Sequence, residues 1–291
     1  MISVIVVSYN TADFLSACLS SIRDHGDPQT EIIVIDNASQ DQSQDMVRHQ
    51  FPEVKLIVNQ QNEGFARANN QAARECGSPY LFFLNPDTVI RPGVFGSMIR
   101  YMESHPEVGL AGTRIINPDG SVQPSFEKHY PGQRHAGKEL RGLKGEIAWV
   151  LGASMIVRES IFRELGGFDE RFFLYGDDQD LCLRVRKAGW ILGYIKDATV
   201  IHWGGRSERG NLRANVWKKK LEAEIVFYKK NYSEKTYHAI RLENIVQAYW
   251  RILTLKMSIP FVKEKQDALG KLEKYRVVKE VFRQKKALHK D

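Results

Sequence analysis

The sequence predicts an α/β fold in which helices cover both faces of a mostly parallel sheet. Apolar, β-branched runs alternate with helix-like stretches four times in about the first 105 residues, and this alternation is typical of parallel strands joined by crossover helices. Each of these runs ends in polar residues, at the position where open α/β sheets bind their ligands. A chain of 291 residues of which 43% are hydrophobic can bury the core that such a fold needs.

Four buried strands and four helices account for this first part of the chain. Strands are predicted where short runs of Val, Ile, Leu and Phe stand between polar segments. They cover residues 3–9, 31–39, 54–59 and 80–87. Helices are predicted where apolar residues recur at three- and four-residue spacing, as Leu15, Cys18, Leu19 and Ile22 do. The helices begin near residues 11, 39, 63 and 92.

The pattern changes after residue 110. Residues 122–146 are polar and contain Gly and Pro, so a long loop is expected there, and loops of that length inside a domain are often functional. The remaining elements are predicted as a strand over 147–159, a short helix, a helix over 180–190, a strand or loop over 198–205, and helices from about residue 211.

The distribution of charge divides the chain into two predicted domains. The net charge is +7, but residues 211–291 hold 20 Lys and Arg against nine Asp and Glu, whereas residues 1–210 hold 22 against 26. We therefore expect a domain over residues 1–210 that carries a small-ligand site, followed by a basic helical extension over residues 211–291. A basic surface of this kind suits phosphates, an anionic membrane or an acidic partner.

Three features of the sequence favour a cytoplasmic protein. No apolar run approaches the roughly 20 residues of a membrane span. The beginning, MISVIVVSYN, has no basic start and is predicted as a strand rather than as a signal peptide. Cys18, Cys76 and Cys182 have no CxxC spacing and fall in helix-like apolar patterns, so we expect small buried side chains instead of disulfides or metal ligands.

Three carboxylates crowd the segment over 171–190, RFFLYGDDQDLCLRVRKAGW. Asp177, Asp178 and Asp180 follow an aromatic patch and open a helix-like run. On an exposed loop, water would solvate them at little cost. A cleft shifts the pKa of carboxyl groups and suits them to proton transfer or cation binding. The residues by themselves leave both possibilities open.

Two further acids stand at predicted strand ends. Asp36 closes the second strand, a position that suits the ribose or base of a nucleotide, and Asp87 closes the fourth. Mg2+ takes one or two carboxylates and completes its shell with phosphate and water, so Asp87 is a candidate ligand with His202 as a second one, although a lone histidine is more often structural. The sequence has no GxGxxG after the first strand and no GxxxxGK[ST], which argues against dinucleotide-binding and P-loop proteins.

Seven motifs in one order make the chain resemble a known family. They are VIVVSYN, VIDNASQD, NEGFARANN, LNPD, WVLGASMIVRE, GGFDERFFLYGDDQDLCLRVRKAGW and VIHWGGRS. Each motif alone is weak, but together they resemble the family 2 glycosyltransferases of the GT-A fold, and most of all their bacterial rhamnosyltransferase-type branch. The resemblance covers about residues 2–208 and implies a Rossmann-like domain that handles a nucleotide-diphosphate sugar.

The resemblance implies an inverting transfer of one sugar from a UDP- or dTDP-linked donor, with Mg2+ or Mn2+ as cofactor. Asp87 matches the last residue of the family's metal-binding DxD signature, and His202 matches a late residue that approaches the metal or the diphosphate. Asn85 replaces the first acid of that signature, which weakens the expectation of metal dependence. The positions implied to bind the donor are Ser8, Tyr9, Asn10, Asp36, Asn62, Gly64, Asn69 and Asn85.

The resemblance also gives the crowded acids a role. The family's motif places the general base at Asp178, with Asp177 beside it where relatives usually have a glutamate. Repulsion from Asp177 is then expected to raise the pKa of the base. For Asp180 we expect an acid in the first turn of the following helix.

The acceptor is implied to be a glycan or a polyprenyl-diphosphate-linked sugar in the synthesis of a cell-surface polysaccharide. The positions expected on the acceptor side are Trp149, Gly152 and Tyr175. Three further aromatics could stack on sugar rings or simply pack in the core, and the sequence leaves this open for Phe172, Phe173 and Trp203.

An apolar stripe over residues 236–259 leaves two possibilities open for the tail. Such a helix packs against the catalytic domain or lies on an anionic membrane surface. The second possibility places a cytoplasmic protein peripherally at the inner face of the cell membrane, where many members of the resembled family extend lipid-linked glycans. The stripe, with its basic neighbours, consists of Ile245, Ala248, Tyr249, Ile252, Leu255 and Ile259 beside Arg241, Arg251 and Lys256.

Three other functions compete with that of a glycosyltransferase. A nucleotidyltransferase would need a loop rich in Gly, Arg and Lys after the first strand, where the sequence has YNTADFL. A non-catalytic nucleotide-binding relative is compatible with the altered DxD signature, but Asp87, Asp178 and His202 together argue for catalysis. Nucleic-acid binding through the basic tail lacks interleaved aromatics on a sheet or a known motif, so no nucleic-acid partner is expected.

Overall fold

The structure is a computed structural model that describes residues 1–27, 30–204, 213–262 and 264–284. The described residues form two compact units. The first takes its residues from Met1–Tyr130, Gly142–Phe173 and Asp177–Arg209. The second takes its residues from Pro131–Arg141, Leu174–Gly176 and Gly210–Asp291. The second unit therefore contains two short segments from the middle of the chain as well as the C-terminal helices.

A nine-stranded sheet lies in the described part of the first unit, beside a small sheet of two strands. The large sheet contains β1 (Ile2–Ser8), β2 (Glu31–Asp36), β3 (Lys55–Val58), β4 (Tyr80–Leu84), β5 (Thr88–Ile90), β6 (Val108–Ile116), β7 (Val122–Gln123), β10 (Ser154–Arg158) and β11 (Ile191–His202). The small sheet pairs β8 (Phe126–Glu127) with β9 (Trp149–Val150). The segment expected as one long loop over 122–146 thus begins with two short strands.

The large sheet combines a parallel half with antiparallel strands. Its order is β3-β2-β1-β4-β10-β6-β11-β5, and β7 pairs with β6. The strands β3, β2, β1 and β4 run parallel to one another, as do β6 and β11. In contrast, β10 runs antiparallel between β4 and β6. The predicted α/β fold class is confirmed, with β10 as an antiparallel strand inserted at the centre.

Six helices belong to the first unit and three to the second, within the described ranges. The first six are α1 (Ala12–His25), α2 (Ser43–Gln50), α3 (Phe65–Arg74), α4 (Val94–Ser104), α5 (Glu159–Glu164) and α6 (Asp177–Lys187). The last three are α7 (Arg213–Asn231), α8 (Glu234–Ser258) and α9 (Lys265–Arg283). They form the C-terminal helical part that the sequence predicts.

Alternating strand side chains build two apolar layers, one on each face of the sheet. In β1, Val4 and Val6 face one layer, and Ile5 and Val7 face the other. The helices α1, α2 and α4 cover the first layer, and α3, α5 and α6 cover the second. As predicted, the cysteines lie in these layers as free and buried side chains: Cys18, Cys76 and Cys182.

One strand of the sequence prediction was too short. Residues 191–202 form the single strand β11, whereas the sequence indicated a strand or loop only from residue 198. The register of β11 against β6 shifts between Ile195 and Thr199, and Lys196 and Asp197 are exposed there. A bulge leaves such residues unpaired without ending the strand. The strand therefore continues through two adjacent charged residues.

The second unit binds a middle segment of the chain to its helices. Glu139 accepts hydrogen bonds from the hydroxyls of Ser233 (2.8 Å) and Thr236 (2.7 Å), and these bonds lower the pKa of Glu139 to about 2. The hydroxyl of Tyr232 donates to the carbonyl of Pro131 (2.8 Å). Residues 131–141, expected as part of a loop, are therefore held by polar contacts at the start of α8.

The helix α8 packs one apolar face inside the second unit. Ile240, Ala248 and Leu255 are buried on it, and Arg241 donates from Nε to the carbonyl of Phe282 in α9 (2.8 Å). Two residues of the predicted stripe thus lie in the interior. No described helix is long and apolar enough to cross a membrane.

Three aromatic rings anchor the layer beneath α3, α5 and α6. Phe83 of β4 is fully buried, and its ring centroid lies 5.1 Å from that of Phe162 and 4.9 Å from that of Phe168. The Phe162 and Phe168 rings are 5.4 Å apart. Because the three rings contact one another, removing one of them leaves a cavity that its neighbours cannot fill completely.

The change Phe83→Ala is expected to lower the free energy of unfolding of the first unit by about 3–5 kcal/mol, as for other large-to-small core changes of aromatic residues. Thermal unfolding measured by circular dichroism would report this as a lower Tm. The matched control is Val122→Ala on β7, where the side chain is 60% exposed and the expected change is below about 0.5 kcal/mol. Equal Tm values for the two variants would contradict the packing described.

Candidate active site

The carboxyl ends of three parallel strands bring the predicted polar residues to one edge of the sheet. The strand β1 lies between β2 and β4 and runs parallel to both. Ser8 is opposite Asp36 in the register, and the N–H of Asn37 donates to the carbonyl of Ser8 (2.8 Å). Asn85 and Asp87 follow β4 directly. Parallel pairing therefore places these residues where ligands bind in open α/β sheets.

Asp36 presents one carboxylate oxygen that has no partner. The residue is 1% exposed, and its Oδ1 accepts from the N–H of Ser39 (2.9 Å) and from Nε2 of Gln44 (2.9 Å). Its Oδ2 is buried and has no hydrogen-bond partner within the described residues. A buried acceptor without a donor costs roughly 1–3 kcal/mol. Oδ2 of Asp36 can therefore accept a hydrogen bond from a ligand.

Asn10 ties the end of β1 to the turn after β2. It has a left-handed backbone with φ of 54°, its N–H donates to Oγ of Ser39 (2.9 Å), and its Oδ1 accepts from the N–H of Gln40 (2.7 Å). Ser8 is buried at the strand end, and Tyr9 is exposed. Of these predicted donor-binding residues, Tyr9 and Asn10 are exposed to solvent and Ser8 is not.

Asn37 joins the ends of β2 and β3 to the start of α3. Its Nδ2 donates to Oδ1 of Asn62 (3.1 Å) and to the carbonyl of Gly64 (3.1 Å). Its Oδ1 accepts from Nδ2 of Asn59 (2.9 Å) and from the N–H of Glu63 (3.2 Å). The buried amide is thereby fully used, and it fixes the loop that carries two of the predicted donor-binding positions.

Gly64 allows that loop to contact the aromatic segment before α6. The N–H of Phe65 donates to the carbonyl of Phe173 (2.8 Å), and a Cβ on Gly64 would lie only 2.7 Å from the same oxygen. Gly64 also has φ of +80°, a conformation that favours glycine. Asn69 is buried and donates from Nδ2 to the carbonyl of Phe65 (2.9 Å). Gly64 and Asn69 thus support the backbone of the site, and their contact with a sugar donor stays a prediction.

Asp87 and His202 lie side by side because β11 pairs antiparallel with β5, with His202 opposite Thr88. Nε2 of His202 is 3.3 Å from Oδ1 of Asp87, and both side chains are buried. Nδ1 of His202 hydrogen-bonds Oε1 of Gln123 (3.2 Å), an oxygen that only accepts. Nδ1 therefore donates to Gln123, and Nε2 faces a carboxylate oxygen that has no hydrogen-bond partner within the described residues.

A carboxylate beside an imidazole is a set of groups that suits a divalent cation sharing its shell with phosphate. The described residues contain no set of three or more His, Cys, Asp and Glu side chains suited to a metal, so Asp87 and His202 are a candidate pair of ligands. Mg2+ is commonly bound by one or two carboxylates, with phosphate and water completing the shell. Asn85, which stands in place of an acid just before Asp87 in the sequence, is half-buried.

Asp178 is held between α6 and the turn before β10. Its Oδ2 accepts from the N–H of Gly152 (3.0 Å), and its Oδ1 accepts from the N–H of Gln179 (2.8 Å). A Cβ on Gly152 would lie 3.3 Å from Cβ of Asp178, so glycine permits the close approach. Asp178 is partly exposed, whereas Asp177 and Asp180 are 4% and 0% exposed. Of the three crowded acids, Asp178 alone is only partly buried.

Burial changes the proton affinity of the two adjacent acids. It raises the pKa of Asp178 above the ordinary value of 3.8, against the lowering effect of the N–H groups of Gly152 and Gln179. Burial, followed by repulsion from Asp178, raises the pKa of Asp177 well above 3.8. From the sequence, the pKa of Asp178 was expected to rise through charge repulsion from its neighbour Asp177. In the structure, loss of solvent is the largest cause for both groups.

Asp180 has a structural partner. Its Oδ2 accepts from Nε of Arg184 one turn later (2.8 Å), and Arg184 also donates from Nη1 to the carbonyl of Leu165 (3.0 Å). Asp180 lies in the first turn of α6, as predicted. Two of the three crowded acids thus form the pair with raised pKa, and the third forms a buried ion pair.

The predicted acceptor-side residues do not all belong to one unit. Trp149 is in the first unit and donates from Nε1 to the carbonyl of His129 (3.2 Å). Tyr175 is in the second unit, where Nζ of Lys220 lies 4.9 Å from the centroid of its ring. Phe172 is buried and packs in the core, whereas Phe173 is 52% exposed. Trp203 donates its N–H to the carbonyl of Asp87 (3.0 Å) and so helps to position His202.

Sequence reasoning did not assign a role to three residues that shape the site. Asn37, Gln44 and Gln123 each bind a predicted site residue or its loop through a side-chain amide. Asn37 could have been identified from its position directly after Asp36 at a strand end. Gln44 and Gln123 lie in a polar helix and in an expected loop, and no spacing distinguishes them from exposed glutamines.

Comparison with known proteins identifies the relatives of this chain. The model of the family described as "Glycosyl transferase family 2" matches residues 3–166. The N-acetylglucosaminyl-diphospho-decaprenol L-rhamnosyltransferase of Mycobacterium tuberculosis is 29% identical over 232 residues, which cover 69% of this chain and 76% of the relative. Rhamnosyltransferase WbbL of Escherichia coli (strain K12) is 26% identical over 229 residues, which cover 72% and 86%.

Solved structures share the fold. The mannosyltransferase PcManGT from Pyrobaculum calidifontis, in complex with GDP-Man and Mn2+, superposes with a TM-score of 0.62 at 17% identity, over 97% of this chain and 83% of the other. TarS 1-349 of S. aureus, in complex with UDP-GlcNAc, gives a TM-score of 0.57 at 17% identity, over 100% and 93%.

The pKa shift of Asp177 predicts how stability depends on pH. A carboxyl group whose pKa is raised by folding contributes stability below its unfolded pKa and loses it as pH rises through the folded pKa. The isosteric change Asp177→Asn removes this penalty. We expect a higher Tm than that of the wild type at pH 7–8, with the difference shrinking as the pH falls below the ordinary pKa of 3.8, where Asp177 becomes protonated in the unfolded state as well.

The matched control is Asp180→Asn in the same helical turn. This change leaves the partly buried Arg184 without its ion-pair partner, so a lower Tm is expected near neutral pH. A wild-type Tm at pH 7–8 that equals or exceeds the Tm of Asp177→Asn would contradict the raised pKa of Asp177.

Proposed function

The chain belongs to glycosyl transferase family 2 and has the GT-A fold, and on this basis we propose that it transfers one rhamnose from a dTDP-linked donor, with inversion, to a hydroxyl of a polyprenyl-diphosphate-linked glycan. Family membership confirms the glycosyltransferase class. The observation that carries the finer proposal is the position of Asp178, a partly exposed residue whose carboxylate accepts the N–H of Gly152. The names of two relatives, both rhamnosyltransferases, support the choice of sugar.

In this proposal the nucleotide lies across the ends of β1 and β2. The free Oδ2 of Asp36 accepts the imide N–H of a thymine or uracil base, which is the kind of donor that the buried acceptor lacks. Tyr9, which is exposed next to the strand end, covers the base by stacking. The loop fixed by Asn37, with Asn62 and Gly64, lies on the diphosphate side. A base without an N–H at that position would leave Asp36 unpaired, so the pocket discriminates between nucleotides.

Asp87 and His202 would hold the divalent cation. Nε2 of His202 and Oδ1 of Asp87 lie 3.3 Å apart, which supports this assignment. When bound, the cation supplies positive charge to the departing diphosphate. Other residues position these two side chains. Gln123 hydrogen-bonds Nδ1 of His202, and the backbone N–H of Trp203 donates to the carbonyl of Asp87.

Asp178 acts as the general base in this mechanism. It takes the proton of the acceptor hydroxyl while that oxygen forms its bond to the anomeric carbon, and the bond from this carbon to the diphosphate oxygen breaks. The products are the glycoside, the free nucleoside diphosphate and protonated Asp178. A raised pKa favours proton uptake near neutral pH. A negative charge on Asp177 disfavours a second negative charge on the adjacent Asp178. It thereby stabilises the protonated form of Asp178 after transfer.

The acceptor and the cellular location are part of the same proposal. One relative is named for its action on N-acetylglucosaminyl-diphospho-decaprenol, and we assign this chain an acceptor of the same class, a lipid-linked sugar. Trp149, Gly152 and Tyr175 are assigned to the acceptor side. Residues 1–210 form the catalytic domain and residues 211–291 the basic extension. A lipid-linked acceptor places the enzyme at the inner face of the cell membrane.

The change Asp178→Asn is expected to lower the rate of transfer by about 10²–10⁴-fold, because it removes the general base. The hydrogen-bond acceptor for Gly152 is kept, so affinity for the nucleoside diphosphate stays unchanged. The assay supplies dTDP-rhamnose, Mg2+ and a polyprenyl-diphosphate-linked N-acetylglucosamine. Released dTDP is measured by chromatography, and the glycosylated lipid is identified by mass spectrometry.

The control is Asp197→Asn, which removes an exposed carboxylate from β11 and should leave the rate as it is. Full transfer by Asp178→Asn would remove Asp178 as the base. A wild-type enzyme that turns over UDP- or GDP-linked sugars but not dTDP-rhamnose would contradict the donor and leave the base assignment standing.

A further inference from the structure

The helix α8 carries a second apolar stripe that the sequence analysis did not identify. Five large apolar side chains of α8 are each more than half exposed within the second unit, although they belong to a helix whose opposite face is buried. They are Leu242, Val246, Trp250, Leu253 and Met257. Phe261, in the short turn that follows α8, is 88% exposed and continues the series.

These positions lie on one side of the helix. At roughly 100° per residue, the five side chains fall within an arc of about 80°. Tyr249, which is 47% exposed, lies at one border of the arc. The buried residues Ala248 and Leu255 lie outside the arc, on the face that packs in the second unit. From Leu242 to Met257 the exposed stripe therefore extends along the helix over roughly 23 Å, at 1.5 Å per residue.

Basic groups line the border of the stripe at Tyr249. The hydroxyl of Tyr249 accepts from Nη1 of Arg283 (3.0 Å), and Nζ of Lys279 lies 5.6 Å from the centroid of its ring. Lys256 of α8 is exposed close to the same border. Glu243, an acid near the opposite border, is occupied by His135 and Arg134. The stripe is therefore bounded on one side by positive charge.

We propose that this stripe, together with its basic border, is a docking surface for an anionic lipid bilayer. A large contiguous apolar surface usually marks an interaction site. An amphipathic helix with Trp, Phe and Leu on one face and basic residues beside them lies in the interface of a membrane. Trp250 and Tyr249 have the apolar rings with polar edges that suit the headgroup level, and each Lys or Arg near the surface adds attraction to anionic lipid.

Charge favours the bilayer over a second copy of this chain. The extension over residues 211–291 has 20 Lys and Arg against nine Asp and Glu. A dimer formed through the stripe would bring two such basic extensions together, whereas an anionic surface neutralises them. The inference adds a lipid partner to the proposed function, and it holds or fails without any transfer reaction, because vesicle binding needs neither donor nor acceptor.

The test is co-sedimentation of the full chain with two kinds of vesicle, phosphatidylcholine alone and phosphatidylcholine with about one third phosphatidylglycerol. The wild type is expected to bind the anionic vesicles, and less at high salt. The double variant Trp250→Ser/Leu253→Ser should lower the partition coefficient by at least roughly tenfold, because both side chains would otherwise enter the apolar layer. Both residues are exposed, so the variant should fold, which circular dichroism checks.

The matched control is Gln247→Ser, an exposed position of the same helix outside the arc, and it should bind as the wild type does. Lys256→Gln/Lys279→Gln should reduce binding to anionic vesicles and leave a weaker salt dependence. Absence of wild-type binding, or equal binding by Trp250→Ser/Leu253→Ser, would overturn the proposal. A dimer in light scattering that this double variant converts to a monomer would overturn it in favour of a second copy.

Discussion

The hydrogen bond from the N–H of Gly152 to Asp178 is the contact on which the arrangement of the site depends. It becomes possible because β10 runs antiparallel to β4, with Ser154 opposite Leu84, so the turn before β10 lies beside the end of β4. The N–H of Asn85 donates to the carbonyl of Ala153 there (2.9 Å). One inserted strand thus joins the carboxyl ends of the parallel strands to the helix that carries Asp178.

Two buried carboxylate oxygens at the site have an acceptor capacity that the described residues do not use. Oδ2 of Asp36 and Oδ1 of Asp87 have no hydrogen-bond partner within the described residues. Each costs free energy that a ligand donor or a cation would recover, so the donor and the metal would stabilise the first unit when they bind. Such local inconsistency is expected at functional sites, where a fold gives up stability for binding.

Much of the first unit could be predicted because local pattern and tertiary structure agree there. The runs over 3–9, 31–39, 54–59 and 80–87 became parallel strands, and their polar ends met at one edge for that reason. The antiparallel direction of β10 could not be predicted, since an apolar run has no direction in its composition. The sequence also could not show which of the two apolar stripes of α8 is buried, because contacts with α9 decide which face of the helix is covered.

The most direct measurement is isothermal titration calorimetry of the wild type and Asp36→Ala with UDP, dTDP, GDP and CDP, each with and without Mn2+. The account predicts binding of dTDP or UDP that is tighter with Mn2+, and weaker binding of CDP, because cytosine has no ring N3–H for Oδ2 of Asp36 to accept. It also predicts that Asp36→Ala weakens this binding by roughly tenfold or more, the loss of a hydrogen bond to a charged group. Binding without nucleotide preference, or equal affinity of the two proteins, would contradict a nucleotide site at the ends of β1 and β2.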